Sequence, residues 1–120
     1  MIDVRSLGAV EPFVTKDGSL IRELCGIPAG GTSKHSVAEA TLEPGQATER
    51  HCHRESEEVY FILEGEGDME LDGEKARVTA GDAIPIPAGA WHTLRNTGDG
   101  ALRLLCTCAP PYRHEDTFFE

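Results

Sequence analysis

Positive charge is scarce in this chain of 120 residues: 11 Lys and Arg stand against 21 Asp and Glu, a formal net charge of −10. A surface of that sign repels phosphate backbones and anionic headgroups, so neither nucleic acid nor a membrane surface is expected as a partner. Long apolar runs are missing as well. The longest clean one is residues 59–63, against the roughly 20 apolar residues that a membrane helix needs. The opening Met1-Ile2-Asp3-Val4-Arg5 shows no basic region followed by an apolar stretch, so no secretory leader is expected. Cysteines number four (Cys25, Cys52, Cys106 and Cys108), too few for a disulfide framework, and read as reduced thiols in a cytoplasmic protein. A nucleophile elbow of the Gly-x-Ser-x-Gly type, a phosphate-binding loop and a Cys-x-x-Cys pair are all absent, which argues against those chemistries. No segment carries a capped helical pattern of ten residues or more, and no long repeat recurs.

Turn chemistry is what the chain has in quantity. Lys16-Asp17-Gly18, Glu43-Pro44-Gly45, Asp72-Gly73, Ala80-Gly81-Asp82, Pro87-Ala88-Gly89 and Thr97-Gly98-Asp99-Gly100 punctuate it at intervals of about 8 to 15 residues. Glycine tolerates positive φ, proline presets φ and aspartate bonds its own backbone, so such sets close hairpins. Strands are expected between them at 20–25, 36–42, 48–53, 58–63, 68–71, 75–79, 83–86, 91–96 and 101–108. The last alternates, with Leu102, Leu104, Cys106 and Cys108 on one face. The reading is an all-β chain in one domain over 1–120, closed into a barrel that leaves no exposed edge. After Pro110-Pro111 the tail ends in Phe118 and Phe119, which are expected to lie over the barrel or over a neighbouring subunit.

Three of the five histidines fall in two glycine-bracketed blocks, 45–65 and 81–96. Residues i and i+2 of a strand share a face, so His51 and His53 put two imidazoles on one side of a sheet. Arg54-Glu55-Ser56 can turn the chain and bring a carboxylate back alongside. His92 follows a Pro-x-Gly turn that can aim it at the same point. Three imidazoles and a carboxylate suit a divalent transition metal such as Fe, Mn, Zn or Ni. A His-x-His pair by itself is weak evidence, since two histidines at i and i+2 more often mark a solvated strand face.

The full pattern resembles the two sequence motifs of the cupin family. Gly45, His51, His53, Glu58 and Gly65 fill the first motif, and Gly81, Pro87, Gly89, His92 and Asn96 fill the second, with residues 66–80 between the two. The short gap is similar to that of the compact single-domain bacterial members. The resemblance implies a double-stranded β-helix, or jelly-roll barrel, with metal ligands His51, His53, Glu58 and His92. It also implies a metal-dependent enzyme acting on a small oxygenated metabolite, of dioxygenase, isomerase or decarboxylase/lyase type. The alternative is a non-catalytic cupin that binds a small ligand or a metal.

One strand sets periodicity against motif. Val59, Phe61 and Leu63 are more apolar than Glu58, Tyr60 and Ile62, so hydrophobicity sends the first set inward while the motif sends the second. The motif is followed here, and Val59, Phe61 and Leu63 are expected on an outer face covered by the N-terminal arm or by the other subunit of a homodimer. Glu49 shares the parity of His51 and is a candidate base beside the metal, or else a surface carboxylate. Tyr60 is a candidate donor to a substrate oxygen, or else plain core. Trp91 is a candidate wall of the mouth, Cys52 should point away from the metal, and Cys106 and Cys108 are small inward residues. His35 and His114 are expected in loops or at the surface.

Overall fold

A computed structural model describes residues 1–120. Eleven strands form two antiparallel sheets: β1 (Phe13–Val14), β2 (Leu20–Cys25), β3 (Ser36–Leu42), β4 (His51–His53), β5 (Glu57–Glu64), β6 (Glu66–Leu71), β7 (Glu74–Thr79), β8 (Ala83–Ile86), β9 (His92–Asn96), β10 (Leu102–Ala109) and β11 (Thr117–Phe119). One sheet runs β1-β2-β3-β10-β5-β8 and the other β11-β4-β9-β6-β7. This is the jelly-roll barrel that the resemblance implied. The only helical pieces are two three-residue 3-10 turns, Leu7–Ala9 and His114–Asp116. The expected strand over 48–53 shortens to His51–His53, because residues 47–50 keep only an isolated bridge from Ala47 to Arg95. β1 and β11 were not anticipated, being too short to show a period.

Leu42, Ile62, Leu94, Leu102 and Leu104 come from both sheets and meet in one buried cluster. On β5 the buried residues are Glu58, Tyr60 and Ile62, so the motif parity prevails over hydrophobicity. Val59, Phe61 and Leu63 face outward at 37, 40 and 38% exposure. The N-terminal arm does not cover them. Arg5 donates to the Leu24 and Ala29 carbonyls, which ties the arm beside β2, three strands from β5 in the sheet order.

Two motif residues have structural roles. Gly65 turns the chain at φ +89°, and a Cβ there would stand 2.6 Å from the Ala101 carbonyl oxygen. Asn96 is buried; its side-chain amide donates to the Leu42 and Gly100 carbonyls and its oxygen accepts from Gly98 N–H. It locks the loop before β10 onto the end of β3.

The tail folds back over the barrel: β11 pairs with β4, placing Thr117 opposite His53 and Phe119 opposite His51. Phe118 lies under the Arg54 guanidinium at 3.9 Å. Just before it, buried Asp116 accepts hydrogen bonds from the backbone N–H groups of Arg54, Glu55 and Ser56, closing the turn between β4 and β5. Burial pushes its carboxyl up, but the N–H groups of Glu55, Ser56 and Arg54 outweigh that and hold it below its usual value of 3.8. Asp116→Ala strands those donors and should cost about 2–3 kcal/mol in urea unfolding. A folded-state pKa held down means the contribution is complete above pH about 4 and fades as pH falls through the lowered value. The stability gap between wild type and Asp116→Ala should therefore narrow only under acid.

Candidate metal centre and cavity

β4 presents His51 and His53 on one face, their ring centroids 5.1 Å apart. β9 lies beside it with His92 directly opposite His51, and those rings are 4.3 Å apart. The Asp116-bound turn returns the chain so that Glu58, second residue of β5, arrives from the opposite sheet. All four side chains are buried.

Backbone carbonyls orient the three rings. Nδ1 of His51 donates to the Glu49 carbonyl at 2.6 Å, that of His53 to Asp116 at 3.1 Å, and that of His92 to Ala90 at 3.0 Å. A carbonyl only accepts, so each Nδ1 carries the proton and each Nε2 turns a lone pair inward. The ligand nitrogens lie within 4.8 Å of one another. Glu58 Oε1 stands 3.3 Å from His53 Nε2 and 3.5 Å from His92 Nε2. Ligands of one small divalent ion, bound at about 2.1 Å, sit about 3 to 3.5 Å apart, so those spacings already suit an ion between them. Both Glu58 Oε1 and His92 Nε2 are buried without a hydrogen-bond partner. Lone pairs that face each other out of water need a cation between them. The residues present therefore fit a divalent metal.

Burial alone would raise the Glu58 carboxyl, but the neighbouring imidazoles of His53 and His92 outweigh it and lower it to about 2. Burial lowers His53, yet Glu58 overcomes this and leaves it raised above 6.5. His51 is lowered, by burial first and then by the charge of His92.

Tyr60 lines the same cavity, its ring 5.8 Å from that of His92. Burial and then the Glu58 charge push its hydroxyl well above 10, so at neutral pH it can donate a hydrogen bond but cannot serve as a base. Glu49 stands apart from the cavity. Residues 48–50 are not strand, so parity with His51 does not carry back; its side chain is exposed and only its carbonyl serves the site. The carboxylate found in its stead belongs to Asp17, from the turn before β2. Asp17 Oδ1 accepts from the N–H and hydroxyl of Ser19 at 2.9 and 2.6 Å, and Oδ2 lies 3.8 Å from His51 Nε2. Sequence reading placed Asp17 only in a hairpin turn, and no spacing links it to the histidines. Tyr112, at the mouth with its ring 5.6 Å from that of His53, was equally invisible.

Trp91 does not wall the mouth; its ring lies under Arg50, and its backbone N–H donates to the Asp72 carboxylate. Cys52 faces away, opposite Phe118. Cys106 and Cys108 line the cavity as protonated thiols raised by burial, Cys108 donating to Glu58 Oε2. His35 and His114 are exposed.

The Cupin domain family model matches residues 38–108. The uncharacterized protein MJ1618 of Methanocaldococcus jannaschii is 48% identical over 108 residues, covering 90% of this chain and 86% of that one. Polyketide synthase CurC of Streptomyces cyaneus is 31% identical over 110 residues, covering 92% and 69%. A solved structure of a predicted oxalate decarboxylase from Thermotoga maritima superposes with a TM-score of 0.80 at 24% identity, over 90% of this chain and 99% of that one. At that identity the superposition speaks for the fold.

The purified chain should carry close to one transition metal, and the doubly substituted His51→Ala, His53→Ala chain none, as read by elemental analysis. Metal binding requires Nε2 of His53 to be free of a proton, and Glu58 holds that imidazole above its usual 6.5, so apparent affinity should fall with falling pH, by up to about tenfold per unit below pH 6.5. Glu49→Ala, which leaves the carbonyl in place, should keep the metal.

Proposed function

Because the chain belongs to the cupin family, we propose that it is a metal-dependent enzyme acting on a small oxygenated metabolite, its ligands being His51, His53, Glu58 and His92. The observation that carries this reading is the pair of buried, unpartnered atoms Glu58 Oε1 and His92 Nε2, facing each other at 3.5 Å. A bound divalent ion with open positions supplies a Lewis acid for substrate oxygens. The chain's own groups would do the rest. Tyr60, kept protonated, donates a hydrogen bond to a substrate oxygen. Asp17 takes the role expected of Glu49: with Oδ1 fixed by Ser19, its Oδ2 can accept a proton from a substrate hydroxyl or acidic C–H. The apolar walls exclude water from that transfer. Oxidation, isomerisation and carbon–carbon or carbon–oxygen cleavage all share these requirements, and fold alone does not choose among them.

The discriminating measurement is oxygen uptake by the Fe(II)-loaded protein with diketones, catechols, thiols and hydroxy acids. Uptake identifies a dioxygenase, whereas turnover only in the Mn or Zn form identifies an isomerase or lyase. Tight binding without turnover in any form would overturn the enzyme reading in favour of a ligand-binding cupin. On whichever substrate reacts, Asp17→Asn should keep the metal and lose on the order of 10²–10⁴ in kcat.

We further propose a homodimer through the outer face of β5. Val59, Phe61 and Leu63 are exposed there, and Phe61 lies next to outward-facing Leu105 of β10. Phe61→Glu should convert a dimer to a monomer in light scattering; a wild-type monomer at high micromolar concentration would contradict the dimer.

A further inference from the structure

The cavity extends beyond the four histidine and glutamate side chains, and the strand register gives its length. Across the inner face of the six-stranded sheet, Glu23 on β2 pairs with Ala38 on β3, Ala38 with Cys106 on β10, and Cys106 with Tyr60 on β5. The neighbouring row runs from Ser36 through Cys108 to Glu58. Small side chains thus floor a trough between Glu23 at one end and Tyr60 with Glu58 at the other. Three strand spacings separate the backbones of β2 and β5, about 14 Å. The enclosed space is about 50 Å³ when measured as the volume open to the centres of water molecules. That is room for on the order of four waters, the bulk of a single six-membered ring.

Away from the imidazoles of the metal centre, the charge lining this trough is of one sign. Asp17, Glu23 and Glu58 line it, and no Lys or Arg does. Tyr112 and Phe13 also line it, and His114, whose ring lies 5.3 Å from that of Tyr112, is exposed. Glu23 Oε1 is buried and has no hydrogen-bond partner. Burial pushes its carboxyl up, with the Ala29 N–H and then the charge of His114 only partly opposing. An oxygen in that condition is an acceptor waiting for a donor. The positive charge of a bound divalent ion is confined to the histidine end and already faces Glu58, so an anionic group on the far side of a ligand would meet only the carboxylates of Asp17 and Glu23.

We propose that the trough binds an uncharged, single-ring-sized hydroxyketone, its chelating oxygens at the His51–His53–His92–Glu58 end and a hydroxyl donating to Glu23 at the other. This rests on the metal-centre reading above and adds to it a specificity-determining residue and a substrate class. Glu23 touches the far end of the ligand and takes no part in bond making.

Kojic acid and allomaltol test it. These hydroxypyranones, neutral when free, chelate through the same hydroxyketone with loss of its hydroxyl proton, which Asp17 Oδ2 can accept, and differ only in whether a hydroxymethyl or a methyl group stands across the ring. With the chain loaded with Co(II), binding is read from the visible absorption of the bound ion. Kojic acid should bind about tenfold more tightly than allomaltol, the worth of a hydrogen bond to a charged acceptor. In Glu23→Leu the ratio should fall to within about twofold of one, and in Glu23→Gln to an intermediate value. Oxalate, the anionic probe, should bind several-fold more tightly to Glu23→Gln than to wild type. A ratio near one in wild type, or a tenfold ratio that survives both substitutions, overturns the proposal. Should Glu23→Leu fail to hold Co(II), Glu23→Gln decides, and an unchanged ratio there overturns it. A wild-type chain that takes up no Co(II) overturns the metal-centre reading and this inference together, whereas uptake without the hydroxymethyl preference overturns this inference alone.

Discussion

The architecture turns on one electrostatic constraint: four lone-pair donors must converge in a dry interior without a proton on any inward atom. Each imidazole meets it by giving its Nδ1 proton to a main-chain carbonyl, those of Glu49, Asp116 and Ala90. Those carbonyls come from three separate segments, so the tautomer of every ring depends on the path of the backbone around it. The tail is therefore part of the site. Asp116 closes the β4–β5 turn through its carboxylate and fixes His53 through its carbonyl, while β11 covers the outer side of β4. A chain without that tail would leave both the turn donors and the His53 Nδ1 proton without acceptors.

The histidine cluster was readable because its geometry is local. An i, i+2 pair on a strand, a three-residue turn and a Pro-x-Gly turn each fix a direction within a few residues. Their fixed spacings then combine into one site. Glu58 was readable for the same reason, even though Val59, Phe61 and Leu63 made the other parity look buried. That conflict arose because hydrophobicity reports which side chains avoid water, and the outer face of β5 carries apolar residues without being the core. Asp17 and Glu49 mark the limit. Both are acidic residues near a turn, and only the path of residues 47–50, which leave the sheet after a single bridge, decides which one faces the ring of His51. Glu23, Ala38 and Cys106 became neighbours only through the register of β2 and β3 with β10, which lies far from both in sequence.

The cavity owes its shape to what its strands withhold. Large residues fill one end of the barrel, where Leu42, Ile62, Leu94, Leu102 and Leu104 pack. Along β3 and β10 the inner face then changes to Ser36, Ala38, Cys106 and Cys108, which cannot span the distance between the sheets. The two thiols suit this place: they are compact and, being pushed up in pKa by burial, bring no further negative charge beside Glu58. Cys108 also donates to Glu58 Oε2, which leaves Oε1 as the oxygen turned toward the imidazoles.

Register ties this interior to the exterior of the same strand. Side chains of β5 alternate, so Glu58 points at the histidines only if Val59 and Phe61 point away. A slip of one residue against β10 would put the apolar row inside and drive Glu58 and Tyr60 into solvent, an exchange that hydrophobic burial alone would favour. What opposes it is anchored at both ends of the strand. Gly65 sits where only a residue without a Cβ clears the Ala101 carbonyl, and Asp116 holds the N–H groups of Arg54, Glu55 and Ser56 just before β5 begins. Moving either anchor by one position would set a Cβ against a backbone oxygen or strand a buried carboxylate. The exposed row on the outside is thus the consequence of holding one carboxylate in register on the inside.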